Sequence, residues 1–254
     1  LVPHGFLHFL PLHALKLNGD FLIRQHTVSY APSASVLKFL QRKGRDRLEH
    51  CIAFGVALDG EDERALPTLP PDRQAMAYHM RTIFELEARE VSDLFAGQCL
   101  TGSQVTQEKV RQGCIGQDLV HFSCHGRFDG QNPLESGLKL YDSMLTTRQI
   151  FNLKLDAELV VLSACLTGLN CRRAGDDLLG LTRAFLYAGA ASLLVSLWPV
   201  NSESTREFMV NFFQRLKKGD DKAAALQQAQ LYLIKKYQNP FYWAPFVLVG
   251  DWEV

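Results

Sequence analysis

The chain lacks an excess of charge of one sign, a long hydrophobic run and a close pair of cysteines. Its 254 residues contain 27 Lys+Arg and 27 Asp+Glu, so the formal net charge is zero. The basic excess that is typical of nucleic-acid-binding domains is therefore absent. No segment approaches the roughly 18 consecutive apolar residues that a membrane-spanning helix needs. We expect neither nucleic acid nor a membrane as a direct partner.

The cysteines are too few and too scattered for a disulfide scaffold. There are six, and none forms a C-x-x-C pair, which favours a reducing, cytoplasmic location. A zinc site built from Cys124, His125, Cys165 and Cys171 is disfavoured. The spacing matches no usual ligand pattern, and the adjacent Cys124 and His125 would point to opposite faces of a strand. We predict no metal and no organic cofactor.

Short apolar runs alternate with longer amphipathic segments along the chain. Runs rich in Val, Leu and Ile predict strands that are buried on both faces of a parallel sheet. They span residues 51–58, 118–124, 158–165, 191–198 and 246–250. Helical periodicity follows over about 72–95, 202–219 and 221–236. The alternation predicts an α/β fold with a mostly parallel sheet and helices on both faces. We interpret residues 1–254 as one domain and, since there is no initiator Met and no signal peptide pattern, as part of a longer chain.

Two of the predicted strands end in residues that are suited to acyl transfer. His125 and Gly126 come directly after the first run (118–124). Cys165 is the last residue of the second run (158–165), three residues before Gly168. Ligands of parallel sheets bind at the carboxyl ends of the strands, where these side chains can face each other. We predict that Cys165 is the nucleophile, that His125 is the general base and acid, and that the Gly126 and Cys165 N–H groups form an oxyanion hole. A structural cysteine and a structural histidine are the alternative interpretation of these residues.

Residues that flank this crevice are candidates for binding the substrate. Asp129 or Asp177 would select Arg or Lys before the scissile bond through a charge-assisted pair. Asp176 is better interpreted as the N-cap of the next helix. Ser196 and Trp198 end a neighbouring strand and are predicted to line the substrate groove, although Trp198 is equally suited to the core. The histidines near the N-terminus are not expected to be catalytic; they are His4, His8, His13 and His26.

The segments HFSCHGRFD (121–129) and VVLSACLTG (160–168) resemble the signature of caspase-like cysteine peptidases. More narrowly, the whole chain resembles a CHAT domain, a caspase-like module often found behind tetratricopeptide repeats in bacteria. Matching segments extend from 1–15 to 239–251, and the region of about 59–115 matches least well. The resemblance implies a caspase-hemoglobinase α/β fold and a Cys165–His125 dyad that cleaves protein or peptide substrates. In one departure, Leu166 stands where the family commonly has an acidic residue.

The resemblance also implies that the domain is a regulated effector. A free peptidase would be hazardous in a cell, so we expect the isolated domain to be latent until a tetratricopeptide-type sensor or regulatory domain orders its loops near 126–137 and 166–176. The alternative is a catalytically inactive, caspase-like module that docks a helical-repeat partner, and Leu166 gives this alternative weight. A third hypothesis is that the same dyad serves a different acyl-transfer enzyme, such as an amidase.

Overall fold

An eight-stranded sheet forms the centre of the structure, a computed structural model that describes residues 1–40, 48–167, 174–198 and 202–253. The strands in the described ranges are β1 (Lys16–Leu17), β2 (Asp20–Phe21), β3 (Cys51–Val56), β4 (Gln98–Thr101), β5 (Leu119–Arg127), β6 (Gly137–Lys139), β7 (Met144–Thr146), β8 (Leu159–Thr167), β9 (Ser192–Ser196) and β10 (Phe246–Gly250). The α-helices there are α1 (Leu22–Gln25), α2 (Ala34–Leu40), α3 (Gly60–Ala65), α4 (Pro71–Leu94), α5 (Gln107–Gly113), α6 (Thr147–Ile150), α7 (Ala174–Ala188), α8 (Ser202–Lys217) and α9 (Lys222–Lys236).

The order of the strands places β5 and β8 at the middle of the sheet. The sequence of neighbours is β10-β9-β8-β5-β3-β4, and the short β6–β7 hairpin attaches to the end of β5. The pairs β9–β8, β8–β5, β5–β3 and β3–β4 are parallel, whereas β10 and the hairpin pair antiparallel. β1 and β2 form a separate two-stranded sheet. The predicted, mostly parallel sheet is confirmed.

Helices cover both faces of this sheet, as predicted. Successive side chains of β5 point to opposite faces. On one face the ring of Phe122 packs 6.0 Å from the ring of Phe185 in α7. On the other face the ring of His125 packs 5.0 Å from the ring of Phe84 in α4. The helix α8 packs against α4 and α9 and thickens this second layer.

The two strands that carry the predicted dyad are longer than their apolar runs suggested. β3 pairs with β5 as far as Cys124, and β6 then takes over the pairing from His125 to Arg127. β8 pairs with β5 over the whole of this extension. His125 therefore lies inside β5 rather than just beyond it, because the hairpin supplies backbone hydrogen bonds at this end of β5. Cys165, the last residue of its predicted run, is followed by two more residues of β8.

The predicted helices are present, with small differences at their ends. α4 begins at Pro71, directly after Pro70 and one residue before the start at about residue 72 that the periodicity predicted. Proline suits this first position because it has no N–H to satisfy and its φ is already helical. α9 follows Asp221 and ends at Lys236, in agreement with the prediction. None of the helices within the described ranges combines the length and the apolar character that crossing a bilayer requires.

Candidate active site

His125 lies between two neighbouring strands that bring very different residues beside it. Its register partner in parallel β8 is Cys165, and its partner in antiparallel β6 is Lys139. Adjacent strands run about 4.8 Å apart, so the backbones of the two predicted dyad residues are immediate neighbours. The Cys165 side chain lies outside the described part of the structure, as do Gly168 and Cys171.

The His125 ring is largely removed from water on its α4 side. Its Nδ1 atom is buried and has no hydrogen-bond partner among the residues that the structure describes. Burial lowers the pKa of His125 below its usual value, and the positive charge of Lys139 lowers it further, while Asp62 acts in the opposite direction. The neutral imidazole, the form that accepts a proton, is therefore favoured at neutral pH.

A cleft of about 1000 Å³ opens beside His125. Its described lining comes from the end of β5, from α3 with the residue before it, and from the segment 139–144. A cleft of this size is in the range that binds small molecules or a few residues of a peptide. The carboxyl ends of β3 and β5 meet here, which is the edge where parallel sheets place their ligands.

Acidic residues form one wall of this cleft, and most are already paired. The Lys139 ammonium lies 2.9 Å from Asp59 Oδ2 and 2.7 Å from Asp62 Oδ2. Glu63 accepts a hydrogen bond of 3.0 Å from the Tyr141 hydroxyl. Burial alone would raise the pKa of Asp59, but the backbone N–H of Asp62 and the charge of Lys139 more than compensate and lower it. The wall is therefore an ordered network of charges and not a set of free carboxylates.

This acidic wall was not predicted from the sequence. It consists of Asp59 and acidic residues of the short helix GEDERA (α3), which follow strand β3. The available signal was the position of this acidic segment directly after an apolar run, which places it at the carboxyl edge of the sheet. Asp59 caps α3 by accepting hydrogen bonds from the N–H groups of Glu61 and Asp62, so the same residue begins the helix and faces the cleft.

The predicted substrate-binding residues lie in several places. Asp129 accepts hydrogen bonds from the N–H groups of Gln131 and Asn132, both at 3.0 Å, and so closes its own turn. Those hydrogen bonds lower its pKa. Asp177 belongs to α7, and its side chain lies outside the described part. α7 begins at Ala174, so Asp176 lies inside its first turn and the prediction of Asp176 as the N-cap is wrong. Asp129 is not among the described residues that line the cleft.

The remaining predicted residues are distributed along the sheet. Ser196 ends β9 and is buried, and the indole N–H of Trp198 donates a 3.1 Å hydrogen bond to the carbonyl of Phe241. Neither belongs to the described lining of the cleft. Gly126 does line it, and lies in the sheet between Leu138 of β6 and Leu166 of β8. Among the described residues there is no group of three or more His, Cys, Asp or Glu side chains arranged to hold a metal ion.

Comparison with protein families gives a match that covers almost the whole chain. The model of the CHAT domain family matches residues 1–251. Tetratricopeptide repeat protein 28 from human is 31% identical over 298 aligned residues, and the mouse protein is 27% identical over 297. Each alignment covers 99% of this chain but only 12% of the relative, so the chain spans about an eighth of the length of these curated relatives. Both relatives are mammalian, and the bacterial setting that the resemblance suggested stays a prediction.

Solved structures with the same fold include cysteine proteinases. Gingipain R (RgpB), the Arg-specific cysteine proteinase of Porphyromonas gingivalis, matches with a TM-score of 0.52 and 11% identity over 86% of this chain and 50% of that one. Separase in the Saccharomyces cerevisiae separase–securin complex matches with a TM-score of 0.58 and 14% identity over 96% of this chain and 14% of that one. At such low identity the likeness concerns the fold alone. The predicted caspase-like α/β fold is confirmed.

Proposed function

This chain belongs to the CHAT domain family, and from that membership we propose that it is a regulated cysteine endopeptidase with Cys165 and His125 as its catalytic dyad. We treat residues 1–254 as one peptidase domain. The observation that carries the proposal is the register of the two central strands, in which His125 and Cys165 are directly opposite each other. A neutral imidazole beside a large cleft supports the same role.

The proposed reaction is hydrolysis of a peptide bond through a thioester. The Cys165 thiol gives its proton to the His125 imidazole, and the resulting thiolate attacks the carbonyl carbon of the substrate. Negative charge develops on the former carbonyl oxygen, where the N–H groups of Gly126 and Cys165 are the proposed donors. The imidazolium then returns its proton to the leaving amine. Water attacks the thioester, which releases the acid and restores the thiol.

We propose that substrates bind in the cleft lined by α3 and the segment 139–144 as an extended peptide. Asp129 and Asp177 stay candidates for selecting a basic residue, and Ser196 and Trp198 stay candidates for the groove. A catalytic thiol is best preserved in a reducing compartment, which favours the cytoplasm. The relatives are tetratricopeptide repeat proteins, so a repeat domain of this type is the proposed regulator.

An irreversible electrophilic peptide probe tests the dyad. Because the adduct accumulates, it reports activity even when only a minor fraction of the protein is in the active state. Peptide mapping by mass spectrometry should find the adduct on Cys165, and Cys165→Ala should abolish it. His125→Ala should slow labelling by at least about a hundredfold, since a general base typically contributes that much.

Cys99→Ala is the matched control, because Cys99 is a half-buried thiol outside the cleft whose pKa is raised by burial. Labelling should be unchanged in this variant. An adduct that persists in Cys165→Ala, or that forms at the same rate in His125→Ala, would contradict the assignment of Cys165 and His125 as the catalytic dyad.

The alternative is a catalytically inactive interaction module. It is favoured by a concentration of exposed apolar side chains in the N-terminal segment, which are Leu1, Val2, Phe6, Leu7, Leu10, Leu15 and Leu17. A surface of this kind suits docking to a helical-repeat partner. The same probe separates the two functions, because an inactive module has no activated thiol and should be labelled no faster at Cys165 than at Cys99.

A further inference from the structure

A column of polar residues runs through the core beneath α4 and ends at His125. His121, Ser123 and His125 alternate along β5 and so lie on the same face of the sheet. At the inner end of the column, His121 Nε2 lies 3.0 Å from Glu87 Oε1 of α4. Both side chains of this pair are almost completely buried, with exposures of 0% and 3%. At the outer end, Phe84 of the same helix packs on the His125 ring.

Three atoms of this column are buried polar atoms without a partner. They are His121 Nδ1, Ser123 Oγ and His125 Nδ1, and none of them forms a hydrogen bond with any residue in the described ranges. Buried polar groups in folded proteins are nearly always hydrogen-bonded, to protein or to internal water. Here the atoms follow one another along a single strand face, so hydrogen bonds that join them in series would satisfy all three.

The chemistry of Glu87 sets the direction of such a series. For an ionised Glu87 beside a neutral His121, the carboxylate only accepts hydrogen bonds and the Nε2–H of His121 is the donor. His121 Nδ1 is then a lone pair that needs a donor, and the Ser123 hydroxyl has one hydrogen to give. The Ser123 oxygen keeps its acceptor capacity for the Nδ1–H of His125. Every donor in the series points toward the buried carboxylate.

We propose that Glu87, His121 and Ser123 form an orienting relay that holds the His125 hydrogen on Nδ1. None of the three atoms bonds directly to another, so each link between His121, Ser123 and His125 passes through one internal water. The relay leaves the Nε2 lone pair of His125 as the site that accepts a proton. Ser123 and His121 are positioning residues, because they act on the dyad only through His125. The catalytic use of this tautomer rests on the proposed function, but the tautomer itself does not.

NMR of protein labelled with ¹⁵N-histidine tests the relay without any substrate. Long-range ¹H–¹⁵N spectra at pH 8 show which ring nitrogen carries the hydrogen, and His125→Ala assigns the signals. We expect the Nδ1–H tautomer for His125 in the unmodified protein. Ser123→Ala removes the acceptor and should shift His125 toward the Nε2–H form, whereas Ser123→Thr keeps a hydroxyl and should restore Nδ1–H.

A second pair of variants tests the inner end of the column. Glu87→Gln introduces an amide that can also donate, so the direction of the series is no longer fixed and mixed tautomers should appear at His121 and His125. Glu90→Gln is the control on the same helix, because Glu90 pairs with Arg206 at the surface. It should leave both signals unchanged. An Nε2–H His125 in the unmodified protein, or an unchanged tautomer in Ser123→Ala and Glu87→Gln, would overturn the relay.

The peptide probe then separates failure of the relay from failure of the proposed function. In Ser123→Ala, labelling of Cys165 should slow by about tenfold to a hundredfold, the range expected when a reacting group loses its orientation. If the unmodified protein has the Nδ1–H tautomer but Cys165 is never labelled, the relay stands and the peptidase assignment falls. If Cys165 is labelled and Ser123→Ala leaves both rate and tautomer unchanged, the relay falls and the dyad stands.

Discussion

Two histidines of this molecule, the buried His13 and the half-buried His125, have opposite surroundings. His13 is 2% exposed, and both its ring nitrogens have partners: Nδ1 lies 3.1 Å from the Tyr30 hydroxyl and Nε2 lies 3.1 Å from the Gln230 side-chain nitrogen. His125 has a buried Nδ1 without a partner in the described structure, and its ring borders a cleft. Burial lowers the pKa of both.

The comparison shows that burial of a histidine does not by itself indicate function. His13 joins the N-terminal segment to α9 through neutral partners that satisfy its ring, which is what a structural role requires. The His125 nitrogen that faces the core has no hydrogen-bond partner among the described residues, and His125 lies beside a cysteine of the neighbouring strand. The distinction rests on the partners of the ring and on access to the cleft.

The strongest test of the comparison replaces each histidine with alanine. His13→Ala should lower the free energy of unfolding by about 3–5 kcal/mol, because it leaves a cavity and removes partners from Tyr30 and Gln230. His125→Ala should cost less than about 2 kcal/mol, because water can enter from the cleft. Urea denaturation at pH 7.5 measures both. Equal losses would show that His125 is as structural as His13.

Acid should destabilise the protein mainly through His13. Burial lowers its pKa from 6.5 to about 4, so between these values the unfolded chain binds a proton that the folded state rejects. The contribution of His13 to stability is therefore complete above pH 6.5 and falls as the pH falls, reaching a loss of about 3 kcal/mol near pH 4. His125 contributes in the same direction, since its pKa is also lowered.

Urea denaturation at pH 7.5, 5.5 and 4.5 checks this dependence. His13→Gln carries no titrating group, so the difference in unfolding free energy between it and the unmodified protein should shrink as the pH falls. A difference that stays constant over this range would mean that folding does not shift the pKa of His13, so that the folded protein accepts the proton as readily as the unfolded chain does.

Most of the sheet could be predicted from the sequence because its central strands are apolar on both faces. The runs over 51–58, 118–124 and 158–165 correspond to β3, β5 and β8. The β6–β7 hairpin is only partly predictable in this way, because the run LKLY (138–141) indicates a short strand but nothing marks its partner β7. Each of its strands has three residues, too few to show a periodic pattern, and their pairing is decided by the free edge at the end of β5.

Only the residues of the candidate site that have a recognisable local sequence pattern could be predicted. His125 and Cys165 were identified from the residues that end two apolar runs, and their opposition in the sheet agrees with the predicted neighbouring strands. Lys139 and Glu87 were not identified. Their relation to His125 and His121 comes from tertiary packing across a hairpin and a helix, and nothing in the local sequence around them signals it.

A smaller effect than the loss at His13 is expected from a change in the spacing of α4, a helix that packs on His125. A Cβ at Gly55 would lie 2.8 Å from the Phe84 carbonyl oxygen and 2.9 Å from Ala88 Cβ, so Gly55→Ala must push the helix away from β3 and β5. We expect a loss of about 2 kcal/mol in unfolding free energy, typical of overpacking. The NMR signals of His125 and His121 should shift, while those of His13 should not.

Gly180→Ala is the matched control for that change. A Cβ at Gly180 of α7 meets nothing within 4 Å, so alanine should stabilise the helix by up to about 1 kcal/mol. If the unfolding free energy falls in Gly55→Ala but rises in Gly180→Ala, the loss at Gly55 comes from its close contact with α4 and not from the added methyl group itself. If Gly55→Ala leaves the His125 signals in place, then contact with Phe84 does not set the environment of that ring. The contrast with His13 would then reduce to a difference in exposure to the cleft.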